Sequence, residues 1–164
     1  MSLQTNPKTL RAGVFLATLM LGGGGGYASL EGREATPYRD VGGIWTDCYG
    51  NTHAVNPNRI RSEKECRKLL DGEADELGDK IYAKVQGKIT GETLASYISL
   101  SYNIGYGAFS RSTLLKKHLA GDYVGACKQI LRWAKVKGKF SRGLYKRRKI
   151  EFVTCMKGVP QYDY

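Results

Sequence analysis

The stretch EGREATPYRDVGGIWTDCYG, residues 31–50, determines how the chain folds around its most informative side chains. Pro37 and the glycine pair Gly42-Gly43 stop any helix that enters this stretch and turn the chain back on itself. Short runs of aromatic and β-branched residues around these turn residues predict a small hairpin region over about residues 38–60.

Three polar side chains of this stretch, Glu31, Asp40 and Thr46, converge on one cleft if the hairpin forms. Cleavage of a glycosidic bond needs a carboxylic acid that protonates the leaving oxygen and a second group that stabilises positive charge or activates water. Glu31 follows an apolar segment, where desolvation favours the protonated acid, whereas turn backbone and Arg39 favour an ionised Asp40. Thr46 offers a hydroxyl to hold the attacking water. Taken alone, two such carboxylates are more often a helix cap and a solvated loop charge.

The rest of the chain has helical patterns, so the sequence predicts an α+β fold in which a small β element precedes a helical bundle. Ser62 and Glu65 form a capping box that opens a helix toward Val85. Four further helices are predicted. The first starts at Thr90 or Thr93, and the second follows a cap at Ser110 or Ser112. The third runs from Asp122 to Ala134, and the last spans residues 143–156. In the last of them, the side chains expected to face the core are Leu144, Ile150, Val153 and Cys155.

An uncharged segment, residues 12–30, precedes this domain, with Lys8 and Arg11 before it and Glu31 after it. This charge distribution is typical of an export signal whose basic end stays in the cytoplasm. The segment is about as long as the roughly 20 residues that span a bilayer, but Gly22 to Gly26 make it weakly hydrophobic. We therefore predict a signal-anchor over residues 1–30 and a separate folded domain over 31–164. The anchor residues are Ala12, Val14, Phe15, Leu16, Leu19, Leu21, Gly22 and Gly26.

Two alternatives to a retained anchor remain. A signal peptidase would cut near the small residues of Gly26-Tyr27-Ala28, although cleavage there would leave the new N-terminus only a few residues before Glu31. The segment would otherwise be a glycine-interrupted surface helix of a cytosolic protein, which the charge asymmetry at its ends disfavours.

The cysteines Cys48, Cys66, Cys127 and Cys155 lie far apart without a CxxC pair, and the chain has two histidines. This composition argues against zinc, and we expect neither a metal nor a cofactor. Two disulfides are expected if the domain reaches an oxidising compartment, whereas buried free thiols would give the same pattern in the cytosol. The proximity of the predicted elements favours Cys48–Cys66 and Cys127–Cys155, although four cysteines allow three connectivities.

The chain is strongly basic, with a formal net charge of +11, which favours attraction to nucleic acid, anionic lipid or the acidic polymers of a bacterial envelope. Residues 132–149 contain nine Lys and Arg side chains and no acidic residue. For each of these side chains we expect a solvated helix face, while their summed field attracts polyanions. Trp133 and Leu144 are expected to lie in the core.

A Glu, eight residues, an Asp, five residues and a Thr occur here as Glu31, Asp40 and Thr46, within the pattern EG…Y.D..G.WT..YG. Together with SYNIGYGAF.RSTLLKK and ILRW….GL.KRR further on, this pattern resembles the phage-type lysozymes of glycoside hydrolase family 24 over about residues 30–157. The resemblance implies a lysozyme-like α+β fold, with a small β-hairpin lobe and a mainly helical lobe. It also implies a muramidase that cuts between N-acetylmuramic acid and N-acetylglucosamine.

The resemblance implies that Glu31 is the general acid and that Asp40 and Thr46 activate or position water, unless the aspartate stabilises a cationic intermediate. We expect a monomer that binds peptidoglycan and no nucleic-acid partner. The candidate saccharide contacts, which match family positions near the cleft, are Asn103, Ser112 and Thr113.

The glycine-rich anchor resembles that of the signal-arrest-release endolysins of double-stranded DNA phages. That likeness implies an enzyme held inactive at the host inner membrane, with its catalytic domain in the periplasm, until the membrane potential collapses and the segment slips out. Because no cysteine precedes Cys48, we expect no thiol switch in the anchor. Two functions without hydrolysis would use the same basic surface: nucleic-acid binding, and membrane perturbation that also involves residues 12–30.

Overall fold

The structure is a computed structural model in which residues 7–21, 34–40 and 42–160 are described. Its elements, in chain order, are α1 (Pro7–Leu21), β1 (Glu34–Arg39), β2 (Trp45–Cys48), α2 (Glu63–Lys84), α3 (Gly91–Ile104), α4 (Tyr106–Ser110), α5 (Thr113–Leu119), α6 (Tyr123–Ile130), β3 (Lys135–Val136), β4 (Lys139–Phe140) and α7 (Arg142–Lys157). The architecture is therefore α+β, as predicted. It divides into two compact units, Thr18–Glu73 and the combination of Met1–Ala17 with Ala74–Tyr164.

The smaller unit is built on the predicted hairpin. β1 and β2 pair antiparallel, with Tyr38 opposite Thr46. A disulfide between Cys48 and Cys66 joins the end of β2 to α2. The hairpin is thus covalently attached to the helix that follows it.

Helices α2, α3, α5, α6 and α7 begin where the sequence offers a capping side chain. At the start of α2, the Ser62 Oγ accepts the Glu65 N–H at 3.3 Å, and the Glu65 carboxylate accepts the Ser62 N–H at 2.8 Å, which is the predicted capping box. Each such cap pairs a backbone N–H that the helix leaves without a partner. The capping residues of α3, α5, α6 and α7 are Thr90, Ser112, Asp122 and Ser141.

The larger unit packs around α3. α7 lies against α3, and the disulfide Cys127–Cys155 joins α6 to α7. The two disulfides are the pairs that the sequence favoured. The largest fully buried side chains contributed by α3 are Leu94, Tyr97, Ile98 and Leu100.

Close contacts at two glycines attach α1 to the larger unit. A Cβ on Gly13 would lie 2.8 Å from the side chain of Leu94, so a glycine here allows α1 to approach α3. A Cβ on Gly78 of α2 would lie 3.0 Å from Val14 and 3.2 Å from Ile98. Side chains of the neighbouring helices therefore pack directly against the backbone of α1 at Gly13 and of α2 at Gly78.

The expected anchor residues that the structure describes lie on α1. Val14 is buried and Leu16 half-buried, whereas Ala12 and Phe15 are exposed. Within the described ranges, no helix combines the length and the apolar character that crossing a membrane requires. Leu19 and Leu21 also lie on this helix, which ends at Leu21, and the last two anchor positions, Gly22 and Gly26, lie outside the described residues.

One predicted boundary was wrong, and two elements were not predicted. The helix that begins after Asp122 ends at Ile130 instead of Ala134, and a second hairpin, β3–β4, follows it. Lys137 and Gly138 have φ values of 48° and 77°, which suits a two-residue turn of the kind that joins adjacent antiparallel strands. A Gly flanked by short alternating apolar and basic residues was the signal for this hairpin. The short helix α4 was also not predicted.

The prediction for α7 was wrong at three positions. Val153 is 51% exposed, while Arg147 and Arg148, expected on a solvated face, are 4% and 0% exposed. Glu151 explains the burial of these arginines, because it forms ion pairs with both of them. Val153 lies two residues beyond Glu151, about 200° further around the helix, and so faces solvent.

Candidate active site

The first hairpin carries two of the three predicted catalytic residues, Asp40 and Thr46. Glu31, the predicted general acid, lies outside the described residues. The site is therefore built from the aspartate and the threonine.

The strand register places Asp40 and Thr46 on one face of the hairpin. Thr46 is opposite Tyr38, and the Asp40 N–H donates to the Ile44 carbonyl at 3.0 Å, which extends the ladder by one further pair. Alternate residues of a strand point to the same face. Asp40 and Thr46 are thus diagonal neighbours, a relation in which Cα atoms are typically about 7–8 Å apart.

Backbone groups of the turn fix the Asp40 carboxylate. Its Oδ1 accepts the N–H groups of Gly42 at 2.8 Å and Ile44 at 2.9 Å. A Cβ on Gly42 would lie 3.3 Å from Oδ1, and Gly43 has a φ of +77°, so both glycines suit this turn. Among the described residues, no group forms a hydrogen bond with Oδ2. One oxygen therefore sets the orientation of the carboxylate.

Thr46 is 4% exposed, and its hydroxyl donates to the Ile44 carbonyl at 3.1 Å. Because that bond uses the hydroxyl proton, the oxygen remains available as an acceptor. The next residue, Asp47, points to the opposite face, where Arg61 Nε donates to its carboxylate at 2.8 Å and Asn51 Nδ2 at 2.7 Å. This buried cluster holds the strand immediately after Thr46.

The candidate saccharide contacts belong to the larger unit. Asn103 is exposed near the end of α3, and its side-chain oxygen accepts an N–H of Arg148 at 3.2 Å. Ser112 is buried, and its hydroxyl oxygen accepts the Leu115 N–H at 3.1 Å as the cap of α5. Thr113, the next residue, is exposed. Of the three, Ser112 has a clear structural role.

Thr113 lines a pocket of about 300 Å³ in the larger unit. Trp133, expected in the core, is half-buried and forms part of the lining. The other lining residues are Arg132, from the basic stretch 132–149, and Leu114 and Gln129, which the sequence did not single out. Within the described part of the chain, no three His, Cys, Asp or Glu side chains are grouped as a metal site requires.

The α+β architecture, a small hairpin unit and a larger, mainly helical unit with its own disulfide, is that of the lysozyme-like enzymes. The chain matches the family described as phage lysozyme over residues 28–151. It is 37% identical over 146 residues to the SAR-endolysin of Bacteriophage PS119, which covers 88% of this chain and 87% of that relative. It is also 37% identical over 153 residues to the SAR-endolysin of Escherichia phage Mu, at 88% and 90% coverage.

Among solved structures, the endolysin from Escherichia coli O157:H7 phage FAHEc1 superimposes with a TM-score of 0.70 at 25% identity and 98% coverage of both chains. The chain therefore belongs to the phage lysozyme family. It is a glycoside hydrolase of the muramidase type, an endolysin for host lysis, and its substrate is peptidoglycan.

Proposed function

We propose that the enzyme hydrolyses the β-1,4 bond between N-acetylmuramic acid and N-acetylglucosamine, with Glu31 as general acid and Asp40 and Thr46 as the groups that activate and position water. The shared hairpin face of Asp40 and Thr46 carries this proposal. The family membership supports it, because Glu31 precedes them at the spacing typical of the family.

In this mechanism Glu31 donates its proton to the glycosidic oxygen as the bond to the anomeric carbon breaks. A water on the opposite side of the sugar donates one hydrogen to the free Oδ2 of Asp40 and the other to the Thr46 oxygen. The lone pair of the water then attacks the anomeric carbon, and its proton passes to Asp40. The product has an inverted anomeric configuration, and solvent restores both carboxyl groups.

Release of reducing ends from purified peptidoglycan tests the role of Glu31. Glu31→Gln removes the acidic proton with almost no change of shape, so we expect a loss of about 10²–10⁴-fold. Glu34→Gln is the matched control, since Glu34 is an exposed glutamate in β1, and it should stay close to wild type. Equal activity of the two variants would contradict the assignment.

Two substitutions of Thr46 separate its hydroxyl from its shape. Thr46→Val keeps the volume and should lose most of the activity, whereas Thr46→Ser keeps the hydroxyl and should recover much of it. Asp40→Asn should fall as far as Glu31→Gln. NMR of the first product formed should show the inverted anomer; initial formation of the retained anomer would replace the general-base role of Asp40 with an electrostatic or nucleophilic one.

We also propose that residues 12–30 hold the enzyme inactive at the inner membrane, with its domain in the periplasm, and that release allows α1 to dock on the protein. The burial of Val14, which packs against Gly78 of α2, and of Ala17 supports this, because side chains buried in the protein are not in contact with lipid. Two relatives named SAR-endolysins agree with it. Docking of α1 and exit from the membrane would then be one event.

Two leucine substitutions test this coupling. Ala12→Leu and Gly13→Leu add the same apolar side chain to the segment, but Ala12 is exposed while Gly13 lies against Leu94. After the potential is dissipated, Ala12→Leu should yield soluble active enzyme and Gly13→Leu should not. Release of active Gly13→Leu enzyme would refute the docking step. The mass of the released protein should include residues 1–30, and a mass that lacks them would show cleavage.

A further inference from the structure

The second hairpin and the start of α7 expose an unusual combination of apolar and cationic side chains. Val136 is 53% exposed, Phe140 64% and Tyr145 37%. The cations of this basic–aromatic surface, all exposed, are Lys135, Lys137, Lys139, Arg142, Lys146 and Lys149.

No acidic residue occurs between residues 123 and 150. Among the described residues, none of the six cations takes part in an ion pair. The aromatic side chains contact one another: the Phe140 and Tyr145 rings are 5.5 Å apart, and Lys149 Nζ lies 5.8 Å from the Tyr145 ring. The surface therefore presents uncompensated positive charge around rings that remain in water.

We propose that this surface binds the anionic phospholipid headgroups of a bilayer, with Phe140 and Val136 entering the interface. Lysine and arginine near an anionic leaflet are attracted to it, and aromatic rings favour the headgroup region. An acidic polymer would neutralise the cations, whereas a bilayer also offers a continuous apolar phase for Phe140 and Val136. A lipid bilayer therefore suits both the cations and the exposed apolar side chains of the surface.

Such binding would be a second attachment to the membrane. Stable anchoring generally needs two signals, for example a weak hydrophobic element and a polybasic patch. In this respect the inference rests on the proposed function, since the weak element is residues 12–30. The affinity of the surface for lipid does not depend on that proposal.

Co-sedimentation of the full chain with vesicles of phosphatidylcholine, with and without phosphatidylglycerol, tests the inference. The test variant replaces Lys135, Lys137 and Lys139 with Gln. The matched control makes the same change at three exposed lysines of α2, Lys64, Lys68 and Lys84. Wild type and control should prefer the anionic vesicles, and the hairpin variant should lose on the order of 100-fold of that preference, about fivefold for each charge.

Phe140→Ser keeps every charge and should weaken binding chiefly at high salt, where the apolar contribution dominates. Unchanged melting curves and peptidoglycan hydrolysis would show that the variants fold. An equal lipid preference in the hairpin and control variants would overturn the inference, as would hairpin-dependent binding to isolated peptidoglycan without binding to vesicles. If residues 12–30 did not act as an anchor, wild type and all variants would fail equally to bind vesicles of pure phosphatidylcholine. That result differs from the two results that overturn the inference.

Discussion

The buried ion cluster between α7 and α3 gives a sharp prediction for Glu151→Gln. Glu151 is 0% exposed, and its carboxylate lies 2.9 Å from Arg148 Nε, 3.2 Å from Arg147 Nε and 2.7 Å from the Ser99 hydroxyl. Burial raises the pKa of Glu151, and the two guanidinium groups oppose that shift. An amide at this position removes the buried negative charge that pairs with both guanidinium groups, and breaking a buried ion pair in this way destabilises the fold by roughly 3–5 kcal/mol.

Thermal or urea unfolding with the disulfides intact measures this loss. The control is Glu76→Gln, which breaks an exposed pair with Lys80 and should cost only about 0.3–0.5 kcal/mol. For a chain of this size, the loss at Glu151 corresponds to a Tm lower by roughly 6–20 °C. If Glu151→Gln is no more destabilising than Glu76→Gln, the negative charge of Glu151 does not stabilise the buried cluster, and the prediction is wrong.

Burial lowers the pKa of His118, so the unfolded chain takes up a proton first as the pH falls, and stability should decrease below about pH 6.5. In His118→Gln that part of the pH dependence of Tm should disappear; identical slopes in the two proteins would contradict it. Cys48→Ser combined with Cys66→Ser opens a loop whose ends are 18 residues apart and should lower the free energy of unfolding by about 3 kcal/mol. An unchanged unfolding midpoint would contradict this prediction. Ser112→Ala removes a helix cap and should cost about 1 kcal/mol in the same assay, whereas a lower kcat or a higher KM at unchanged stability would instead indicate a saccharide contact.

Local features were predictable from the sequence because their causes lie within a few residues. Gly42 and Gly43 make the first hairpin possible, and that hairpin brings Asp40 and Thr46 onto one face. The capping residues start their helices through bonds that reach three residues along the chain. The cysteine pairs followed from the proximity of elements predicted in the same way.

Other features depended on partners far away in the sequence. A run of arginines is typical of a solvated face, yet Arg147 and Arg148 are buried because Glu151 pairs with them and Ser99, 52 residues from Glu151, accepts Arg147 at its carbonyl. The position of α1 is a second case. Burial of an apolar segment is favourable whether the segment enters lipid or a protein core. The sequence therefore shows only that Val14 leaves water. The tertiary structure shows that it packs against Gly78.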